Sequence, residues 1–289
     1  MKKLKILITG STGYIGFNFI KKYYKKYNFY PIFHKKKLSK KYFKKSIQYQ
    51  NKLDHIKKFI FTVQPDITIH LATNYQKFDN EKTINKVINT NVLFGSHLLE
   101  ALKHTESKKI INIGTVWQNK FNSQKYIPAN FYASTKEAFE KIAYYYYLTS
   151  DLSVLNLKLT DSYGGEDNRE KIIPKIINSY KEGKTVNLDN KNYKIGLIHI
   201  NDICLALKKS IDLCLDKKKF FLSYALIAKK FHRIIQIIQM IENIKKIKIK
   251  TKFIKKNFYK KQIINKSLKV LPGWRQKISL SEGISKLKI

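Results

Sequence analysis

Two periodicities alternate along the first 160 or so residues, and this alternation limits the possible folds more than any other feature. Short apolar runs at residues 4–9, 29–33, 66–73, 109–114 and 152–159 read as strands. Between them, residues 54–64, 84–104 and 134–150 place apolar side chains at helical spacing, and a further helix begins near Gly13. Strands that alternate with longer helices pair in parallel through right-handed crossovers. The expected fold is α/β, a doubly wound parallel sheet with ligands at the carboxyl ends of its strands.

After Tyr163 the rhythm loosens into loop, helix and turn. Residues 1–163 are therefore expected to form a nucleotide-binding domain. Residues 164–289 are expected to form, for the most part, a smaller substrate-covering subdomain, with about 195–211 returning to the first domain. Lysine-rich patches such as residues 35–45 read as solvated faces.

The 289 residues carry a net charge of +38, which raises the question of a nucleic-acid partner. The identity of the cations argues against one. Only Arg169, Arg233 and Arg275 are arginines, and guanidinium forks are what grip phosphates and bases in fixed geometry. Lysine comes with abundant Ile, Asn, Tyr and Phe, as an AT-rich coding sequence would produce. No nucleic-acid role is expected, although a basic surface helps to collect an anionic substrate. Cys204 and Cys214 suggest buried, reduced thiols rather than a metal quartet or a disulfide framework, and no metal is expected. The basic amino terminus begins like a secretion signal, but its apolar run is too short and ends in glycines. No stretch approaches the ~18 apolar residues of a membrane span, so a cytoplasmic protein is expected.

Three local features carry chemistry. Gly10, Gly13 and Gly16 sit three apart between a strand and a helix, where backbone N–H groups and the helix dipole favour a pyrophosphate. Tyr132 and Lys136 are spaced to share one face of a helix that starts near them. A nearby ammonium is expected to pull the phenol down towards working pH, so that it can exchange a proton with a substrate oxygen. Thr115 ends the strand before that helix and places a hydroxyl in the ligand crevice. His70 reads as structural rather than a metal ligand. His199 and Asp202 read as helix-entry residues, with Asp202 as the cap. Trp274 is expected in the core of the small subdomain, and Tyr144–Tyr147 at a subunit interface.

Together these motifs resemble the extended short-chain dehydrogenase/reductase family, the NAD-dependent epimerases and dehydratases, over nearly the whole chain. Residues 70–73, 91–101, 157–165, 198–207 and 273–284 resemble further family segments. The resemblance implies a Rossmann sheet with a smaller C-terminal substrate-binding subdomain, a nucleotide-sugar substrate and a homodimer. It implies Thr115, Tyr132 and Lys136 as catalytic residues. For the cofactor it implies Gly10, Thr12, Gly13, Tyr14, Ile15, Gly16, His34, Lys35, Leu71, Ala72, Thr73 and Asn91, besides Tyr132 and Lys136. For the substrate it implies Thr115, Val116, Trp117, Asp161 and Lys194.

Within the family the chain resembles CDP-abequose synthase-like reductases, which reduce a 4-keto-deoxyhexose on a nucleotide carrier. Dehydratases of the family follow the catalytic hydroxyl residue with an Asp-Glu pair; here Val116 and Trp117 follow, which argues against water elimination. NAD-preferring members end the second strand with an acid, whereas this chain has His34, Lys35, Lys36 and Lys37. NADP(H) is thus the expected cofactor, with NAD(H) as the alternative. Asp161 replaces the family's usual Asn, and Ile195 stands where many relatives place a diphosphate-binding Arg, so Lys194 or a more distant lysine is expected to serve. The expected activity is a 4-ketoreductase in bacterial surface-polysaccharide sugar synthesis. The alternatives are an epimerase with tightly held NAD and a non-catalytic cofactor-binding protein.

Overall fold

The computed structural model describes residues 2–35, 38–76, 80–119, 126–253 and 268–289. The first part of the chain runs β1 (Lys5–Thr9), α1 (Tyr14–Tyr23), β2 (Asn28–Phe33), β3 (Ile47–Gln48), α2 (Leu53–Val63), β4 (Ile67–His70), α3 (Glu81–Ile88), α4 (Phe94–Leu102), β5 (Lys109–Thr115), α5 (Phe131–Ser150) and β6 (Ser153–Leu159). It continues through β7 (Asp161–Tyr163), α6 (Ile172–Lys181), β8 (Val186–Leu188), β9 (Lys194–His199), α7 (Ile200–Leu215), β10 (Phe221–Leu226), β11 (Phe231–Arg233), α8 (Ile234–Lys245), β12 (Thr251–Phe253) and α9 (Leu280–Ser285).

Seven strands form a sheet in the order β10-β6-β5-β4-β1-β2-β3, and every neighbouring pair is parallel. Strands covered on both faces are buried along nearly their whole length, as β1, β4 and β6 are. On one face, Phe19 and Ile20 of α1 pack with Ile203, Leu207 and Ile211 of α7. On the other, Ile60 of α2 joins Leu98 and Leu102 of α4 and Phe139 and Ala143 of α5. Each such side chain contributes about 1.5–3 kcal/mol when fully buried. The strand order reverses between β1 and β4, and a crevice opens there at the strands' carboxyl ends.

A second layer gathers around Tyr163, Ile176, Ile237, Ile241 and Ile284. Its strands pair as β11-β9-β7 and β12-β8, with α6, α8 and α9 alongside. The return to the main sheet is larger than the sequence implies. After α7 the chain also supplies β10, which pairs in parallel with β6.

Three local expectations change with tertiary context. Trp274 packs in the main core, not the small layer, and its indole N–H donates to the Asp202 carbonyl at 3.0 Å. The α7 cap is His199, whose Nδ1 accepts the Asn201 N–H at 3.2 Å. Asp202 is buried in the first turn, where its Oδ2 accepts the N–H groups of Lys277 and Ile278 at 3.1 and 2.9 Å. It latches the closing segment onto the sheet, a partnership that spacing along the chain does not reveal. The third helix starts at Glu81 rather than residue 84, because Asn80 and Thr83 form a reciprocal capping box. Cys204 and Cys214 are free and buried, and burial pushes both thiols up to about 12. Among the described residues no helix is long and apolar enough to cross a membrane, and no cluster of metal-ligating side chains occurs.

Candidate active site

Thr9 closes β1 and staples it to β4. Its Oγ accepts the Leu71 and Ala72 N–H groups at 3.2 and 3.1 Å and lies 2.8 Å from His70 Nδ1. With both lone pairs engaged, the hydroxyl donates its proton to Nδ1, so Nε2 carries the ring hydrogen. That Nε2 has no hydrogen-bond partner among the described residues, and the ring is packed between Phe94 and Phe139. Burial first, and the Lys136 charge second, hold His70 down at about 3, so the ring is neutral. His70 is a structural residue.

Gly10 has φ of +67°, and a Cβ there would lie 2.6 Å from the Ala72 nitrogen. A Cβ at Gly16 would run into the Gly10 carbonyl oxygen, so α1 seats against the turn only with glycine at this position. Gly13 caps α1 without any side-chain hydrogen bond, and no acid occupies the first helical turn. The N-terminal amides and the dipole are left for an anion, and this cradle fits the pyrophosphate of a dinucleotide. Thr12 and Gly13 are exposed at its mouth, and Ile15 packs beneath it. The Tyr14 hydroxyl points away, donating to the Gly164 carbonyl at 2.6 Å. The Arg169 guanidinium stands 3.6 Å from the Tyr14 ring centroid and is anchored on Asp167 and Ser162. These contacts lock the loop after β7 onto the glycine turn. His34 and Lys35 are exposed after β2, with the His34 carbonyl accepting from Gln48 at 2.8 Å. Lys36 and Lys37 lie outside the described residues.

The segment after β4 carries Leu71, Ala72 and Thr73 along the crevice, and Asn91 holds it there. Asn91 sits in a π-helical segment, Asn89–Leu93, between α3 and α4. Its Oδ1 accepts from Asn74 N–H at 2.8 Å and from the Thr73 hydroxyl at 3.2 Å. Its Nδ2 donates to the Asn74 carbonyl and to Thr135 Oγ1, both at 3.0 Å. The buried amide is thus fully engaged by protein, and its part is to place the loop.

Thr115 ends β5, where its Oγ accepts the Trp117 N–H at 3.2 Å and keeps its own proton for donation. Asn130 caps α5 by accepting the Ala133 N–H at 2.9 Å, which puts Tyr132 and Lys136 in the first turns of that helix. The Tyr132 phenol is not pulled down as the Tyr-Lys spacing implies. Burial raises it, Asp161 and Tyr75 push the same way, and a hydrogen bond with Thr73 acts against them. Enclosure penalises phenolate more than the ring's neighbours favour it. Lys136 is 1% exposed, and burial lowers it to about 8 against an upward pull from Glu140.

On the substrate side, Val116 is buried and Trp117 half-buried. The Tyr75 ring meets Tyr132 and Trp117 edge-on, at centroid distances of 5.3 and 6.2 Å. Lys171 stands over both Tyr75 and Trp117, at 5.1 and 5.5 Å, and pairs with Asp161 Oδ1 at 3.2 Å. Lys194 opens β9 at an exposed position in register with Arg233. The lysine brought beside Tyr75 and Trp117 is Lys171, a residue that sequence reasoning missed. Its only advance signal was an acid at 161 in place of the family's amide.

The sequence profile of the NAD dependent epimerase/dehydratase family matches residues 6–219. The chain belongs to this family. Curated members similar to it include the CDP-abequose synthase of Yersinia pseudotuberculosis, 29% identical over 211 residues, 71% of this chain and 72% of that protein. Another is the dTDP-D-glucose 4,6-dehydratase of Dictyostelium discoideum, 30% identical over 239 residues, 70% of this chain and 54% of that protein. Among solved structures, the UDP-glucuronic acid 4-epimerase of Bacillus cereus with UDP-glucuronic acid and NAD superimposes with a TM-score of 0.80. It is 19% identical, covering 97% of this chain and 96% of that one. The UDP-glucose 4-epimerase of Thermotoga maritima with UDP-glucose gives 0.82 at 17% identity, covering 98% and 97%. At these identities the structural matches establish the fold, a Rossmann-like sheet of the family's kind.

Proposed function

We propose that this family member is a nucleotide-sugar 4-ketoreductase, reducing the C4 carbonyl of a nucleotide-linked deoxyhexose in surface-polysaccharide sugar synthesis. The observation that carries the reading is the Thr115 hydroxyl, free to donate at the end of β5 with no carboxylate at 116 or 117, together with Tyr132 and Lys136 in the first turns of α5. Reduction of a ketone begins with an acid at this position, whereas an epimerase first removes a proton with the same group. Val116 and Trp117 cannot serve the proton transfers of a dehydration. The similarity to CDP-abequose synthase supports the same assignment.

When bound, the reduced nicotinamide supplies the hydride. Thr115 hydrogen-bonds the C4 oxygen and polarises it. Tyr132 delivers its phenolic proton to that oxygen as negative charge develops there. Lys136 supplies a cation that favours the phenolate left behind. Lys171, paired with Asp161 over Tyr75 and Trp117, faces the sugar nucleotide and offers its anionic groups a cation. NADP(H) is the preferred cofactor, because His34 and Lys35 follow β2 where a carboxylate would repel a 2′-phosphate. Residues 164–289 act mainly as the substrate-binding part, and the protein works as a homodimer.

The test is turnover of CDP-, dTDP-, GDP- and UDP-linked 4-keto-6-deoxyhexoses with NADPH or NADH, followed by loss of reduced-cofactor absorbance. Stoichiometric cofactor consumption with one carrier is expected. Interconversion of C4 epimers without consumption would replace the reading with the epimerase.

A further inference from the structure

Between the end of β5 and α5 lies a buried hydrogen-bonded cluster to which the proposed reaction assigns no part. β4 pairs with β5 only as far as Asn112, so β5 reaches Thr115 with β6 as its one strand neighbour. The Gln118 side chain supplies a further partner there, its Oε1 accepting the Thr115 N–H at 2.9 Å. Its Nε2 donates to Glu137 Oε2 at 2.7 Å and to Glu140 Oε2 at 2.9 Å, both on α5. Carboxylates accept and a backbone N–H donates, so this orientation of the amide is the one that satisfies all three partners. Lys158 of β6 joins the two carboxylates, with Nζ 3.3 Å from Glu140 Oε2 and 3.9 Å from Glu137 Oε2. It also donates to Asn119 Oδ1 at 3.1 Å. Gln118, Glu137, Glu140 and Lys158 are all buried. Room for the amide depends on Gly114, where a Cβ would lie 2.6 Å from Gln118 Oε1.

We propose that Gln118 is the positioning residue for Thr115, holding the end of β5 to α5, the helix that carries Tyr132 and Lys136. The inference rests on the reading of Thr115 as the hydroxyl that polarises the substrate carbonyl. That hydroxyl and the Tyr132 phenol must reach one oxygen atom together, yet they sit on different elements. Gln118 spans the two elements with three side-chain hydrogen bonds. Two of them go to charged acceptors, which makes them the stronger kind and suits a fixed support. The turn after Thr115 is fixed as well. Thr115 Oγ accepts the Trp117 N–H, the Trp117 carbonyl accepts the Ala129 N–H at 2.9 Å, and the Gln118 carbonyl accepts the Ile127 N–H at 3.0 Å. The Gln118 amide bonds to the Thr115 backbone, not to its hydroxyl, so removing it leaves every reacting group present and loosens where the hydroxyl stands. A misplacement of about 1 Å is enough to cost on the order of 10²-fold in rate.

The experiment compares Gln118→Leu and Gln118→Asn, the second too short to span Thr115 and α5, each with and without Thr115→Ala. Circular dichroism checks folding. Gln118→Leu is expected to lower kcat by about 10–100-fold, with KM and the NADPH dissociation constant within about threefold of wild type. In the Thr115→Ala background the same change should cost less than about twofold, since a support has no effect once its hydroxyl is gone. Single-turnover rates with enzyme in excess keep the slow variants readable. Exchange of the Thr115 amide, followed by NMR in the isotope-labelled full-length protein, should quicken by at least about tenfold while β1 and β4 amides keep their rates. Losses that multiply in the double variant, an effect confined to KM, or an unmoved Thr115 amide overturn the proposal. If Gln118→Leu does not fold, Gln118→Asn decides alone on the same expectations. If neither folds, the cluster serves the scaffold only and the proposal falls. If the wild type interconverts C4 epimers instead of consuming NADPH, the proposed reaction fails, and the same comparison is read on that activity. With no turnover at all, the Thr115 amide decides this inference alone, because exchange needs no substrate.

Discussion

Lys136 and His70 are buried and Tyr132 is half-buried, and each ionises differently from the free side chain. Burial raises the Tyr132 phenol, lowers Lys136 to about 8 and lowers His70 to about 3. Tyr132→Phe removes the proton donor and is expected to cut kcat by about 10²–10⁴-fold, while NADPH affinity measured by fluorescence titration stays within a few-fold. Activity that needs the Lys136 ammonium should fall as pH rises through about 8, visible as the alkaline limb of a kcat/KM profile. For His70 the sign runs the other way. The folded ring stays neutral down to about pH 3, whereas the unfolded ring gains its proton near 6.5. Its contribution to stability is therefore complete above 6.5 and is lost progressively as pH falls towards 3. Urea unfolding should show the wild type losing on the order of 2 kcal/mol more than His70→Gln between pH 7 and 5. Thr115, Tyr132 and Lys136 were all legible as residue types at a telling spacing. Their protonation was not, because it depends on which distant groups share their burial.

At the scale of elements, the turn from β1 into α1 and the π-helical segment before α4 do the positioning. Gly16→Ala drives a Cβ into the Gly10 carbonyl and separates α1 from the turn. NADPH binding should weaken by more than about tenfold, at a stability cost of about 1–3 kcal/mol from overpacking; calorimetric titration and thermal melts measure both. Asn91→Ala leaves Thr135, Thr73 and the Asn74 backbone without their shared partner. A loss of about 2–3 kcal/mol in urea is expected, with faster hydrogen exchange at residues 73–74. The strands and helices of the first half stand out in the sequence because their periodicities are local. The start of α3 and the π-helical segment do not, since one turns on a two-residue cap and the other on side chains from three separate segments.

For the whole molecule, charge is the dominant property. A net +38 spread over solvated lysines repels itself, and salt should relieve the repulsion. Raising ionic strength from about 0.02 to 0.3 M, which brings the Debye length below about 10 Å, is expected to raise Tm by several degrees. Differential scanning fluorimetry checks it, and an unchanged or falling Tm would contradict it. The chain also closes on itself over long distances. Asp202 holds residues 277 and 278, Trp274 enters the main core, and Arg169 ties the loop after β7 to Tyr14. Short apolar runs between helically spaced segments, the glycine spacing and the Tyr132–Lys136 interval are all local patterns, so the parallel sheet, its crevice and the candidate reactive groups could be read from order along the chain alone. The Gln118–Glu137–Glu140–Lys158 cluster, the Lys171–Asp161 pair and the Asp202 latch could not. Each joins residues from different elements, and their charges and hydrogen bonds acquire partners only when packing removes them from water together.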